Sequence, residues 1–299
     1  MTRLLHFLFA CAVCIACSKP KKAIVFQTDY GMKDGAVSAI KGVAYGVDHE
    51  LKLYDLTHEI PPYNVWEASY RLYQSAPFWP AGTVFVSVVD PGVGTSRKSV
   101  VLKTQTGQFF ITPDNGTLTL VSDAMGIEAI RQIDERVNRR PGSYSSYTFH
   151  GRDVYAYTAA RLAAGKISFE EVGPLLKEGI LRLNYQKPIL DSGRIKGNVP
   201  VLDIQFGNVW TNIHDTLIQK LGIRYGERIA VRIFDRDSLV YQGEMPYSKT
   251  FGEVPEGFPL VYLNSLMNVS LALNMGNFAD SFHVRSGNNW TVEIKKGAH

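Results

Sequence analysis

Residues 83–97 read TVFVSVVDPGVGTSR, and the rest of the chain can be placed around them. Val84, Phe85, Val86, Val88 and Val89 make a β-branched and aromatic run as long as one buried strand, which Asp90-Pro91-Gly92 then stops. Pro91 fixes φ and offers no N–H, while Gly92 and Gly94 permit backbone angles that other residues resist. A carboxylate therefore stands at the strand's end on a constrained loop, with Arg97 following on the same loop. In open α/β sheets ligands bind beyond the carboxyl ends of strands, which makes Asp90 and Arg97 candidates for chemistry. Asp-Pro-Gly is also a turn signal, so a structural ion pair bracing the turn is the other reading of the same residues.

Upstream, residues 23–27 form the first strand candidate, with Thr28-Asp29-Tyr30-Gly31 at its end. A helix beyond Gly35 presents Val37, Ile40, Val43 and Ala44 on one face. Helix N-termini attract anions, so Asp29 and Asp34 are not placed to receive phosphate. They suit hydroxyls or an ammonium group: one carboxylate can accept from two adjacent sugar hydroxyls, and helix capping is the alternative for either. Residues 51–56 and the amphipathic segment 64–74 continue the order strand, helix, strand, helix, strand, which implies parallel pairing with helices on the faces. No GxGxxG or GxxxxGK[ST] loop follows any of these strands, which argues against dinucleotides and nucleoside triphosphates. Residues 99–103 and 108–112 read as a hairpin. His150 stands on a loop beside Gly151 just before a helix at 154–164, a better placing for a catalyst than most histidines have.

The chain has 299 residues, 45% hydrophobic and 20% charged, with a net charge of +4 and no dense basic stripe, so two globular domains are expected and nucleic-acid binding is not. Arg3 precedes an apolar run over 4–16, too short to span a bilayer and suited to a secretory signal. All three cysteines, Cys11, Cys14 and Cys17, lie there, which leaves the folded part without a disulfide or a Cys-based metal site. Ile15-Ala16-Cys17-Ser18 resembles the cleavage box of bacterial lipoproteins, so an exported protein anchored at the periplasmic face through acylated Cys17 is expected. The expected organisation is a signal over 1–17, an α/β catalytic domain over 23–185 with a mostly parallel sheet and helices on both faces, and a linker over 186–198 where Gly, Pro, Asp and Ser crowd together. A smaller antiparallel all-β, barrel-like domain over 199–299 completes it.

Three segments together are more specific than any one alone. Thr28-Asp29-Tyr30-Gly31 with Asp34, Val89-Asp90-Pro91-Gly92-Val93-Gly94 with Arg97, and Thr148-Phe149-His150-Gly151-Arg152-Asp153 closely resemble the S-adenosylmethionine hydroxide adenosyltransferases, relatives of the bacterial fluorinase and chlorinase. Phe206 to Ile213 and Tyr262-Leu263-Asn264-Ser265 resemble that family's C-terminal motifs. The resemblance implies hydrolysis of S-adenosylmethionine to adenosine and methionine, no cofactor, and a homotrimer with sites between subunits. It also implies a water-activating set at Asp90, Arg97 and His150 that the halogenating relatives lack. Asp29 then matches the ribose carboxylate, Asp34, Asp203 and Ser265 match positions near methionine, Asn208 and Phe251 match adenine contacts, and Trp210, also a substrate-binding candidate, matches a tryptophan of the halogenating relatives. Core packing is the other reading of Trp210 and Phe251. Leu266 stands where the halogenating relatives have an Arg that pairs with the methionine carboxylate.

Two rival classes follow from the same residues. Asp29, Asp34, Asp90, Asp114, His58 and His150 could furnish ligands for a metal-dependent hydrolase, although no HExxH-like spacing supports it and no metal is expected. A non-catalytic nucleoside-binding lipoprotein is the other, because S-adenosylmethionine is made in the cytosol and the N-terminus reads as an export signal.

Overall fold

The computed structural model describes residues 22–297; the signal and Cys17 lie outside them. Three parallel strands, β1 (Ala23–Thr28), β2 (Lys52–Thr57) and β3 (Val84–Val88), are linked by helices α1 (Ala36–Val47) and α2 (Val65–Ser75). The Asn64 side chain accepts from the Glu67 N–H at 3.0 Å and so caps α2. The turn at 105–107 folds β4 (Ser99–Lys103) against β5 (Phe109–Pro113) as the expected hairpin, and β5 lies parallel to β3. With β6 (Ala129–Gln132) the sheet runs β2-β1-β3-β5-β4-β6. It is mixed, because β4 is antiparallel to both of its neighbours.

Strand alternation sends Ile24, Phe26, Val84 and Val86 to one face, against Ile40 and Ala44 of α1 and Ala159 and Ala160 of a later helix, α4. Val25, Phe85 and Phe110 go to the other face, against Leu72 of α2 and Val121 and Met125 of α3 (Thr119–Met125). A sheet buried on both sides needs near-continuous apolar strands, which is why residues 84–89 read as a run and not as an alternation. α4 (Tyr157–Ala163) is preceded by one π-helical turn, Gly151–Ala156, where a single α-helix was expected.

The C-terminal half consists of antiparallel strands in two sheets, and the expected barrel does not close among the described residues. One sheet contains β7 (Ile189–Asp191), β8 (Arg194–Asn198), β11 (Arg228–Asp235), β12 (Ser238–Pro246) and β15 (Trp290–Lys296), in the order β12-β11-β15-β8-β7. The other contains β9 (Val201–Leu202), β10 (Val209–His214), β13 (Pro259–Leu263) and β14 (Asn268–Leu273), in the order β13-β14-β10-β9. Ile195, Val231 and Val292 of the first sheet share one core with Val209, Val261 and Leu271 of the second, which makes a sandwich. At one corner the sheets meet in a single bridge, Tyr247 to Val261, too short to act as a closing ladder. The expected linker 186–198 is largely the β7–β8 hairpin. Ser192 and Gly193 both take positive φ, 47° and 70°, as a two-residue hairpin turn requires, and β8 pairs with β15.

Trp66 and Tyr70 of α2 pack with Val201 and, at their margin, Trp210 and Leu266, so the two halves share an aromatic seam. The Trp66 indole N–H donates to the Pro200 carbonyl at 2.8 Å. No helix of the described residues is long and apolar enough to cross a membrane. Trp66→Phe keeps most of the ring and removes this one hydrogen bond; it should lower stability by about 1 kcal/mol, read as a shift in the urea midpoint at unchanged slope.

Candidate active site

Because β1 and β3 are parallel neighbours, their C-terminal loops lie side by side and bring Asp29 and Asp90 to one edge of the sheet. The β1 loop is braced from β2: Thr28 Oγ1 lies 2.8 Å from His58 Nδ1, His58 Nε2 lies 3.0 Å from Asp55 Oδ1, and the Gly31 N–H donates to the His58 carbonyl at 2.7 Å. Asp29 Oδ2 accepts from the Tyr63 N–H at 2.9 Å, which leaves its other oxygen for a ligand.

On the β3 loop Arg97 forks onto Asp90. Its Nε donates to Oδ1 at 2.8 Å and its Nη2 to Oδ2, with side-chain exposures of only 11% and 6%. Burial works against the Arg97 charge, but the hydrogen bond to Asp90, together with the fields of Tyr155, Asp90 and Glu135, outweighs it, and the guanidinium holds its proton more tightly than usual. The other hydrogen on the Nη2 side serves His150: Nη2 lies 3.2 Å from His150 Nδ1. A guanidinium only donates, so Nδ1 accepts and the neutral ring carries its proton on Nε2. The three residues singled out in the sequence thus converge, with Arg97 in the middle.

His150 enters from the start of the π-helical turn. A Cβ on Gly151 would lie 2.1 Å from the Tyr30 hydroxyl oxygen, so glycine there lets the Tyr30 ring close over the site. The turn is held by Asp153, which is fully buried and bonded by Arg152 at 2.8 Å and Arg140 at 3.0 Å. Burial pushes the Asp153 carboxyl up, and the two arginines more than reverse this, holding it below the usual carboxylate range.

Asp29, Tyr30, Tyr63, Asp90, Phe149 and His150 line one cavity of about 380 Å³. Asp203, Asn208 and Phe251 line a different one of about 700 Å³ in the C-terminal half, where Asn208 Nδ2 donates to Asp203 Oδ2 at 3.1 Å and the Phe251 ring lies 4.9 Å from that of Tyr262. Burial pushes the Tyr262 hydroxyl up to about 12. Ser265 and Leu266 line a third concavity, with Arg71 and Trp79 at the seam. Asp34 and Trp210 line none of these. Asp34 is exposed and accepts from the Ala36 N–H at 2.8 Å at the start of α1, and Trp210 packs at the seam, so for both the local structural role is what the chain displays.

Of the residues put forward as metal ligands, Asp29, Asp90 and His150 line the same cavity, but among the described residues no three acidic or histidine side chains are grouped closely enough to hold an ion. Both nitrogens of His58 are engaged, and Asp114 Oδ1 accepts from the Leu181 N–H at 2.8 Å. Sequence reasoning missed Tyr30, Ser99 and Glu135: Ser99 Oγ takes a hydrogen bond from Arg97 Nη1 at 3.1 Å and gives one to Glu135 Oε1 at 3.1 Å. Tyr30 stands within the Thr28-Asp29-Tyr30-Gly31 motif, which gives it no role of its own.

Residues 24–173 match the model of the SAM hydroxide adenosyltransferase N-terminal domain, and residues 197–291 match that of the C-terminal domain. The chain belongs to the SAM hydroxide adenosyltransferase family. A protein named (R)-S-adenosyl-L-methionine hydrolase from Salinispora tropica is 34% identical over 277 residues, spanning 91% of this chain and 98% of that one. A fluorinase from Actinopolyspora mzabensis is 30% identical over 297 residues, spanning 90% and 96%. The crystal structure of an uncharacterized conserved protein from Thermotoga maritima superposes with a TM-score of 0.82 at 36% identity, covering 91% of this chain and all of that one.

In this member of the family two substitutions probe the loop that carries His150. Gly151→Ala must displace the Tyr30 ring and should cost about 1–3 kcal/mol in chemical denaturation. Asp153→Asn should cost about 2 kcal/mol at neutral pH. A carboxyl held low in the folded chain gives stability that is complete above its unfolded value near about 3.9 and is lost as pH falls through the lower folded value. The wild-type chain should therefore lose stability more steeply than Asp153→Asn when acidified below about pH 4, measured as thermal midpoint against pH.

Proposed function

We propose that the chain hydrolyses S-adenosyl-L-methionine to adenosine and L-methionine by attack of water on the ribose C5′. The observation that carries this reading is the convergence of Asp90, Arg97 and His150 beside Asp29 at a cavity of nucleoside size. Asp29 holds the ribose hydroxyls through its unused oxygen. Water oxygen bonds to C5′, the C5′–S bond breaks, and its electron pair stays on sulfur as the neutral thioether of methionine. One proton of the water remains as the 5′-hydroxyl and the other must leave.

We infer that the acceptor is Asp90. His150 spends its Nδ1 lone pair on Arg97, and its Nε2 points to Glu135, 3.6 Å away. Each Asp90 oxygen accepts one bond from Arg97 and keeps a second acceptor site, so Asp90 takes the proton. Arg97 fixes the carboxylate plane, and His150 fixes Arg97.

The adenine-side residues Asn208 and Phe251 and the ribose-side residue Asp29 line cavities that share no residue in one chain. A homotrimer that sets the C-terminal cavity of one copy on the N-terminal cavity of the next fits this division and the exposure of Ile204, Phe206 and Met275 around the former. Export and acylation at Cys17 complete the proposal.

Protein lacking residues 1–17 should convert S-adenosylmethionine to adenosine, and chloride should yield no 5′-chlorinated nucleoside, both read by chromatography. Arg97→Ala and His150→Ala should each slow the reaction by about 10²–10⁴-fold. Absence of adenosine, or wild-type rates in both variants, overturns the proposal.

A further inference from the structure

Behind the three converging side chains lies a fourth that no motif marks. We propose that Glu135 is a positioning residue: it holds the His150 ring so that Nδ1 presents its lone pair to Arg97, and through Arg97 it fixes the Asp90 carboxylate. The proposal rests on the reading of Asp90, Arg97 and His150 as the water-activating set.

Glu135 Oε2 lies 3.6 Å from His150 Nε2, within ion-pair reach and longer than a direct hydrogen bond. Such contacts tighten in the substrate complex. Glu135 is itself held at both oxygens, Oε1 by Ser99 Oγ at 3.1 Å and Oε2 by Arg139 Nη1 at 3.1 Å. Arg139 is buried and anchored by the Ser146 carbonyl at 2.5 Å, and its guanidinium lies 4.6 Å above the Tyr147 ring. Burying an arginine is costly, and here it locks one carboxylate behind one imidazole. The nearby His150 Nε2 lowers the Glu135 carboxyl below its usual range against the opposing effect of burial, so it is ionised at neutral pH.

The charged and titratable groups around the ring are then complete. Arg97 and Asp90 come from the β3 loop, Glu135 and Arg139 from the segment after β6, Tyr147 from the loop before His150, Tyr155 from the π-helical turn through Ser99, and Asp29 and Tyr30 from the β1 loop. Glu135 does not line the cavity that holds Asp29 and Asp90. It opens with Arg97 and Ser99 onto a separate concavity of about 380 Å³. It stands behind the front cavity and acts through the His150 ring, and by way of Ser99 on Arg97.

Three measurements on the chain lacking residues 1–17 test this. In the wild type, imidazole ¹⁵N shifts of His150 with the ring neutral should show Nε2 protonated and Nδ1 bare. Glu135→Ala should give mixed tautomers and lower kcat by about 10²-fold with KM within twofold of wild type. Glu135→Gln, which still offers an acceptor oxygen, should keep the single tautomer and recover most of kcat. A protonated Nδ1 in the wild type overturns the proposal without any variant, and so does a Glu135→Ala that keeps both tautomer and kcat. If the wild type turns over no S-adenosylmethionine, the function falls, and the ¹⁵N spectra still decide whether Glu135 orients the ring.

Discussion

The structure around the site depends on a guanidinium and a carboxylate that face each other out of reach of bulk water. Removing two charges from solvent costs several kcal/mol each, and their mutual attraction returns this only when the geometry is good and the remaining hydrogens find partners. Arg97 meets both conditions. Its Nε and Nη2 bond the two Asp90 oxygens, Nη2 also reaches His150, and Nη1 reaches Ser99. An apolar pair of equal volume would stabilise the fold as well, so what the pair contributes is a fixed plane. Pro91 helps to make that plane possible by reducing the entropy lost when the loop closes, and Gly92 leaves room for Arg97, whose Cγ would lie 3.3 Å from a Cβ there.

From this constraint the need for neighbouring parts follows. A fork at the end of β3 is useful only if the end of β1 lies beside it, and parallel pairing guarantees that, with Thr28 and His58 holding the β1 loop against β2. His150 must then arrive from the opposite side, on a segment that passes under Tyr30. Glycine at 151 makes room for the passage, and the π-helical turn rotates the next side chains so that Asp153 points inward to its arginines while Tyr155 reaches Ser99. π-Helical turns recur at functional sites for this reason: one extra residue per turn re-aims a side chain without breaking the helix that follows.

The parts legible in the sequence are those governed by local chemistry. Apolar runs, the β4–β5 turn and the Pro-Gly loop after β3 all depend on neighbours within a few residues, and each is where the sequence placed it. Asp191-Ser192-Gly193 misled because the composition of a linker and of a tight hairpin turn is the same; only the pairing of β8 with the distant β15 separates them. Sandwich against barrel turns on whether two edge strands meet, a long-range fact that strand spacing does not carry. Glu135 was invisible for a related reason. Asp134-Glu135-Arg136 reads as an exposed charged loop, and Asp134 with Arg136 does form an exposed pair, while the middle residue alone turns inward to Ser99 and His150.

The chemistry explains why the charged groups crowd on one side. A sulfonium leaves as a neutral thioether and needs no proton, so an acid at the far end of the reacting bond has nothing to do. All of the difficulty lies in water, a weak nucleophile that must be aimed at one carbon and stripped of one proton. Orientation is the larger part, since well-aligned partners react as though present at about 10⁵ M or more. A row of carboxylate, guanidinium, imidazole and carboxylate suits that task, because each member has one orientation that satisfies both neighbours, and turning any one of them breaks two contacts. Rigidity of this kind is poorly served by a flexible lysine, which carries the charge of Arg97 without its fork. Within the row the acceptor sites still open are those of the two Asp90 oxygens, which agrees with the proposed direction of proton loss.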